Sequence, residues 1–325
     1  MTVLANSPRI SVIVSVYEQL QFLPRMLASL AYQDYEGEWE LLICDDGSAT
    51  DMLHLIKEFS KRTTCEVRYL WQTDRGFRLA RSRNNAIKCS GGDALVFLDG
   101  DVVVEPDLVR RHAEAHGTTR QLVCGSRSYI FLKAHPDLAW DTLLTVDGAH
   151  EIKRHACFPT TPFQRARLKS HSPWFCICGC NFSVWKTPDV RFAEEFVGWG
   201  LEDCELALHL TTRSGFTMKC LLDNMAYHLE ESPPATFHPC RPKTHDEISA
   251  YIRNMVRLEE QYQDQDLNEL WQIVAGFEFD EIADCWQRRR ETWRPRVGVA
   301  AETARRWVLD NQPLAGHACA AGIKD

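Results

Sequence analysis

The sequence predicts an α/β fold, a mainly parallel sheet with helices on both faces, followed by a helical C-terminal extension. Three observations predict it. Short runs rich in β-branched residues alternate with amphipathic stretches through the first third of the chain. The runs end in polar groups that collect at one sheet edge: Tyr17 after "ISVIVSV", Asp45, Asp46 and Gly47 after "ELLIC", and Asp99 and Asp101 after "ALVFL". A late segment, "THDEISAYIRNMVRLEEQ", opens with Thr244 and Glu247 in the spacing of a capping box.

Taken in order, strands are expected at 10–16, 40–45, 66–71 and 94–98, with helices at 22–33, 51–62 and 79–89. Strand, helix, strand in this rhythm implies right-handed crossovers and a sheet buried on both faces. Ligands of such sheets bind outside the carboxyl ends of the strands. From about residue 121 the regularity loosens, and the Pro-bearing, Arg-rich stretch 150–173 reads as a long loop. "WFCICGCNFSVW" reads as a strand, a helix starts near Glu202, and a further strand runs to His228. "ESPPATFHPCRP" reads as a linker, and helices are expected from 245 to about 310. This gives three expected parts: 1–120, 121–240 and 241–325.

Composition narrows the function. The 325 residues are 45% hydrophobic and 25% charged, an ordinary globular mix. A formal net charge of -8 argues against nucleic acid or an anionic membrane as a general partner. No run approaches the roughly 18 apolar residues of a membrane span, and "MTVLANSPRIS" lacks the basic-then-apolar pattern of a signal peptide. The 13 cysteines are an odd count, several inside apolar runs, which suits reduced thiols in a cytoplasm.

The chemistry concentrates at "VFLDGDVVV", where Asp99 and Asp101 stand one glycine apart directly after a buried strand. Like charges so placed repel unless a cation sits between them or hydrogen bonds disperse the charge. Two readings stand at this point: a strand-ending turn, or a site for a divalent cation, with oxygen ligands favouring Mg²⁺ or Mn²⁺.

"ISVIVSVYEQLQFLPRMLASLAYQ", "ELLICDDGSATD", "DRGFRLARSRNNAI", "ALVFLDGDVVVEPD" and "FVGWGLEDCELALHL" occur in the order expected of family 2 glycosyltransferases, which the chain resembles over roughly residues 8–230. Its second half is similar to the domain shared by β-1,4-galactosyltransferases and bacterial chondroitin polymerase. The resemblance implies a GT-A fold with a Rossmann-like sheet, a nucleotide-sugar donor of the UDP-linked kind, a Mn²⁺ or Mg²⁺ bridge to its diphosphate, and inversion at the sugar. It puts Tyr17 against the donor's base, Asp46 on the imide N–H of the base, and Arg75 and Arg81 near the diphosphate, Arg81 matching the arginine of an "AR-N" pattern with Asn85 orienting it. Arg83 reads as part of a solvated helix face.

The same resemblance implies that Asp99 contacts ribose or a metal-bound water and that Asp101 ligates the metal. His228 would be a further ligand, arriving from the second half once donor binds, and an imidazole there favours Mn²⁺. In "GWGLEDCEL" it places the base at Asp203, Glu202 on acceptor hydroxyls, and Trp199 as a flat apolar platform for a pyranose. Carboxylates at a helix start are favoured by the helix dipole and also serve as plain N-caps. Leu201 and Cys204 depart from the family pattern, so donor and acceptor identity do not transfer. Glycans, lipid-linked glycans, peptides and natural-product cores remain as acceptor classes, and the C-terminal helices leave self-association open.

Two constellations stand apart. Cys176, Cys178 and Cys180 lie near His155, Cys157 and His171, but structural zinc uses two to four intervening residues, which favours core thiols. "WQRRRETWRPR" mixes bases and indoles and reads as a solvated helix with its Trp residues packed inward. The rivals to sugar transfer are nucleotidyl transfer, whose glycine-rich loop "SVYEQLQFLPR" lacks, and a catalytically silent sugar-nucleotide-binding protein.

Overall fold

A computed structural model describes residues 7–116, 120–138, 149–170, 172–232, 244–267, 270–271, 277–280 and 285–288. Residues up to Glu194 and from Asp203 to Pro233 form one compact unit; Glu195–Glu202 belong with the chain beyond Pro234 in a second.

The first unit begins with β1 (Ile10–Val16), α1 (Leu23–Leu30), β2 (Trp39–Asp45), α2 (Leu53–Ser60), β3 (Glu66–Trp71), α3 (Leu79–Cys89) and β4 (Ala94–Asp99). The strands pair in parallel in the order β3-β2-β1-β4, with β1 buried along its whole length. That is why its second face, Ser11, Ile13 and Ser15, carries small or apolar residues and no charge. Pro24 sits in the first turn of α1, where its missing N–H costs nothing. α3 buries Ala80, Ser82, Arg83, Asn84, Ala86 and Ile87, so three of its buried residues are polar.

Beyond β4 come β5 (Val102–Val104), α4 (Leu108–Ala115), β6 (Gln121–Phe131), α5 (Ala149–His155), α6 (Thr161–Arg167), β7 (Asn181–Trp185), α7 (Glu202–Arg213) and β8 (Thr217–Glu230). Among the described residues these complete a sheet of 8 strands in the order β3-β2-β1-β4-β7-β6-β8-β5. β7 is antiparallel to both β4 and β6, while β8 runs parallel to β6 and antiparallel to β5, so the sheet is mixed on this side.

The β6–β8 register shifts between Cys124 and Ser126, and Asn181 fills the irregularity. Its Nδ2 donates to the carbonyls of Ser126 and Asn224, at 2.8 and 2.9 Å, and it packs so closely on Gly125 that a Cβ there would lie 2.3 Å from it. Behind it, His112 Nε2 meets Asn181 Oδ1 at 2.9 Å, and His112 Nδ1 and His116 Nε2 meet Ser183 Oγ at 2.8 and 2.7 Å.

This buried network is expected to make the fold sensitive to acid. Burial pushes the His112 imidazole down to about 4 and, helped by the charges of His112 and Lys219, that of His116 down to about 3. An unfolded histidine titrates near 6.5, so below that pH the unfolded chain binds protons that the folded one refuses. Stability is complete above about pH 6.5 and falls with acidification, by about 1.4 kcal/mol per pH unit for each histidine, until the folded values are reached. Urea denaturation at pH 7, 6 and 5 checks this: the midpoint should drop steadily, and a flat midpoint would rule it out.

Two expectations are corrected and a third is met. The stretch 150–173 is not a loop: it contains α5 and α6, held by buried Ile152 and Gln164. The strand expected at 174–185 begins only at Asn181; Pro173–Cys176 form a 3-10 turn that buries Trp174 and Phe175, and Asn181 N–H closes a turn on the Cys178 carbonyl. Cys176, Cys178 and Cys180 are free buried thiols, as the core-thiol reading has it.

In the second unit α8 (His245–Gln261) carries the expected capping box, with Thr244 and Glu247 bonding each other's backbone N–H. Where further helix was expected, β9 (Phe277–Asp280) pairs antiparallel with β10 (Cys285–Arg288). The alternation Phe277, Glu278, Phe279, Asp280 has the period of a strand. The proposed linker beyond residue 232, and the basic-aromatic segment beyond residue 288, lie outside the described residues. Among the described residues no helix is long and apolar enough to cross a membrane.

Candidate active site

The carboxyl ends of β1, β2, β3 and β4 build the first wall. Asp45 is spent on structure: its Oδ1 accepts from Gly47 and Ser48 N–H, and its Oδ2 from the Tyr69 hydroxyl. Asp46, the next residue, is buried and accepts from Arg78 N–H and from Gln72 Nε2, both at 2.5 Å. Burial raises the Asp46 carboxyl above its ordinary range. Asn85 donates to Gln72 Oε1 at 3.0 Å, so the structure gives it the task of fixing Asp46's partner.

The strands flanking β2 end in exposed aromatics. Tyr17 follows β1 with its hydroxyl 3.4 Å from Asp74 Oδ2, and Trp71 closes β3 with its indole N–H on the Ser48 carbonyl. Arg75 and Arg81 are exposed. Gly47 has φ +103, and a Cβ there would lie 2.5 Å from the Asp74 backbone, so this turn admits only glycine.

Arg83 reverses its sequence reading. It is 1% exposed, its Nε donates to Ser15 Oγ at 3.1 Å, and its Nη2 donates to Asp99 Oδ1 and to the Gly179 carbonyl, each at 2.9 Å. The guanidinium carbon lies 5.3 Å from the centre of the Phe192 ring. Next to it, Asn84 is buried and bonds both backbone groups of Phe192 and the Glu194 carboxylate.

Burial pushes the Asp99 carboxyl up to about 6; Arg83 works against that, Asp101 adds to it, and His228 and Arg127 again oppose it. The glycine between the two aspartates has a steric cause. A Cβ on Gly100 would lie 2.3 Å from Gln19 Oε1 and 2.6 Å from Val16. Gln19 in turn donates to Asp101 Oδ2 at 2.9 Å.

His228 reaches the pair by strand register. It stands opposite Val102 in β5, and Leu229 N–H donates to the Asp101 carbonyl at 2.8 Å. Its Nε2 lies 3.5 Å from Asp101 Oδ1, its Nδ1 3.8 Å from Glu230 Oε1, and its ring 5.3 Å from that of Tyr129. The expectation that His228 arrives on closure is therefore corrected: the sheet itself holds it beside Asp101. Among the described residues no group of 3 or more His, Cys, Asp or Glu side chains forms a complete metal cluster.

Asp203, at the start of α7, lies against Gly179: a Cβ on that glycine would be 2.7 Å from Asp203 Oδ2. Gly179 thus lies against the Asp203 carboxylate and, through its carbonyl, accepts from Arg83, which in turn holds Asp99. Sequence reasoning missed Arg83, Gln19 and Gly179. The signal for Arg83 was present in the helical spacing of Ala80, Arg83, Asn84 and Ile87.

Glu202 is buried, and Trp199 belongs to the second unit, its ring 5.6 Å from Tyr251 of α8. Gly198 and Gly200 have φ +81 and +94, with Ala250 and Tyr251 pressed close against them. Leu201, which stands where the family pattern has glycine, keeps a left-handed backbone at φ 74. Asn254 Nδ2 donates to the Gly200 carbonyl at 2.8 Å, and Arg257 Nη1 to that of Glu195 at 2.5 Å.

Comparison with known proteins adds the lineage. The validoxylamine A glucosyltransferase of Streptomyces hygroscopicus subsp. jinggangensis (strain 5008) is 28% identical over 227 residues, covering 63% of this chain and 52% of its own. The hyaluronan synthase of Pasteurella multocida is 28% identical over 247 residues, covering 69% of this chain and 25% of its own. The chain spans about half the length, or less, of these curated relatives. A mannosyltransferase, PcManGT from Pyrobaculum calidifontis, solved with GDP-Man and Mn²⁺, superposes with a TM-score of 0.52 at 15% identity, covering 80% of this chain and 66% of its own; it shows the GT-A type of fold. The model of Glycosyl transferase family 2 matches residues 11–185, more than half of the sequence, and the chain belongs to that family.

Proposed function

We propose that the chain transfers a sugar, with inversion, from a UDP-linked donor to an acceptor hydroxyl, aided by Mn²⁺ or Mg²⁺. The observation that carries this reading is the run of contacts from Asp99 through Arg83 and Gly179 to Asp203, which joins the donor-side carboxylate to the candidate base. The relatives' names, a glucosyltransferase and a hyaluronan synthase, favour sugar transfer over nucleotidyl transfer or silent binding.

In this reading Tyr17 stacks on the base and Asp46 accepts its imide N–H, which uracil has and cytosine lacks. Arg75 and Arg81 meet the diphosphate from solvent, while Arg83 holds Asp99 in place. Asp203 takes the acceptor's proton as the new bond forms, Glu202 binds neighbouring hydroxyls, and Trp199 packs on the pyranose face.

A cation fits the residues present. Asp101 offers a carboxylate oxygen and His228 an imidazole nitrogen 3.5 Å apart, with Asp99 nearby, and this mixed oxygen and nitrogen set suits Mn²⁺ better than Mg²⁺. Such an ion, when bound, neutralises charge on the diphosphate leaving group.

The test is a thermal-shift panel of UDP-, GDP- and dTDP-sugars with and without Mn²⁺. A donor at 100 times its dissociation constant stabilises by about 2.7 kcal/mol. The UDP-sugar is expected to give the largest shift, and Asp101→Ala is expected to abolish its Mn²⁺-dependent part while leaving the midpoint without donor in place. A UDP-sugar shift indifferent to Mn²⁺ in the unmodified protein would refute the metal assignment.

A further inference from the structure

We propose that Gln19 is a positioning residue for Asp101: its side-chain amide ties down one carboxylate oxygen and so presents the other to the divalent cation of the proposed function, on which this inference rests. Gln19 Nε2 donates to Asp101 Oδ2 at 2.9 Å, while Asp101 Oδ1 lies 3.5 Å from His228 Nε2. The two oxygens of that carboxylate therefore face different groups. Asp99 is held in the same manner across the glycine, its Oδ1 accepting from Arg83 Nη2 at 2.9 Å.

The backbone of Gln19 is fixed on both sides. Glu18 before it has a left-handed conformation at φ 50; its N–H donates to Ser48 Oγ at 2.9 Å and its carboxylate accepts from Ala49 N–H at 2.6 Å. After it, the Gln19 carbonyl accepts from Phe22 N–H and Leu23 N–H, both at 3.0 Å, where α1 begins. The tip of the side chain is enclosed too. Gln19 Oε1 is buried, meets no donor among the described residues, and lies where a Cβ on Gly100 would be 2.3 Å away. A carboxylate only accepts, so the amide turns its nitrogen to Asp101 and leaves its oxygen without a donor. A buried oxygen in that state is unfavourable, and the fold tolerates it while keeping the nitrogen on Asp101. Gly100 leaves the space that the amide occupies.

A neutral donor suits this task. Arginine or lysine at the same place would orient the carboxylate as well, but would bring positive charge to the point where a cation is to sit. The amide has a dipole and no net charge, so it fixes the carboxylate without competing for it. Groups that hydrogen-bond to the ligands of a metal set their orientation, and losing one typically weakens metal binding by about 10-fold to 100-fold.

The experiment is a calorimetric titration of the full chain with UDP, over a series of Mn²⁺ concentrations and in chelator, which reads binding and not turnover. Gln19→Met keeps the length and bulk of the side chain but cannot donate. The Mn²⁺ concentration that gives half of the metal-dependent gain in UDP affinity is expected to rise by about 10-fold to 100-fold. UDP affinity in chelator and the unfolding midpoint without ligand should match those of the unmodified chain, because the variant loses one hydrogen bond and also removes a buried oxygen that had no donor. Gln19→Ala should weaken the Mn²⁺ dependence in the same direction. An unchanged Mn²⁺ dependence in both variants, with Asp101→Ala still abolishing it, would overturn the positioning role and leave the metal assignment standing. A lowered midpoint with unchanged Mn²⁺ dependence would make Gln19 a residue of stability alone and overturn it as well. If the unmodified chain bound UDP with no regard to Mn²⁺, the metal assignment and this inference would fall together.

Discussion

Asp203→Asn is expected to lower turnover by about 100-fold to 10,000-fold while leaving donor affinity nearly unchanged. Asparagine keeps the size and planarity of the carboxylate, so it fits the same place beside Gly179, where a Cβ on the glycine would lie 2.7 Å from Asp203 Oδ2. It also retains an oxygen for the Cys204 N–H, which Asp203 Oδ1 accepts at 2.7 Å. What it loses is the capacity to take a proton from the acceptor. Single-turnover rates with saturating donor, set beside donor titrations, separate the two effects. Near-normal turnover would remove Asp203 from the role of base and turn attention to Glu202.

Arg83→Ala should destabilise the fold by about 3–5 kcal/mol, the range for stripping one partner from a buried ion pair. Asp99 keeps some contact with solvent, its side chain being 28% exposed, which puts the effect toward the lower end. The loss extends further than one pair, because Ser15 and the Gly179 carbonyl lose their donor at the same time. Arg81→Ala, two residues away on the exposed side of the same helix, should stay within about 0.5 kcal/mol. Urea denaturation of the two variants side by side checks the contrast, and equal effects would contradict the burial of Arg83.

That contrast shows what the sequence made legible. The alternation of strands and helices up to β4 reads directly, because β1, β2 and β4 are rich in buried apolar residues and α1 and α2 each carry an apolar face. Arg83 did not read as buried because its charge was weighed ahead of its helical phase, although Ala80 and Ile87 place it inward. The delivery of His228 to Asp101 could not be read, since nothing local pairs residues 102–104 with 226–228; the sheet does so across more than a hundred residues of chain. "CICGC" alternates like a strand yet lies outside one, since Pro173 starts a turn and Gly179 is where two other elements come into contact with the chain. Segment 150–173 was misread for its proline and arginines, while its few inward residues, Ile152 and Gln164, carried the helical information.

The division of the chain falls at the peptide bond between Glu202 and Asp203. On one side of that bond, Glu195–Glu202 are seated on α8 by Asn254, Arg257 and Tyr251; on the other, Asp203 is seated on Gly179. On the proposed function, the loop that would select the acceptor and the residue that would perform the chemistry are anchored on different supports, so a substitution in α8 would bear on the choice of acceptor without passing through the contacts that hold Asp203.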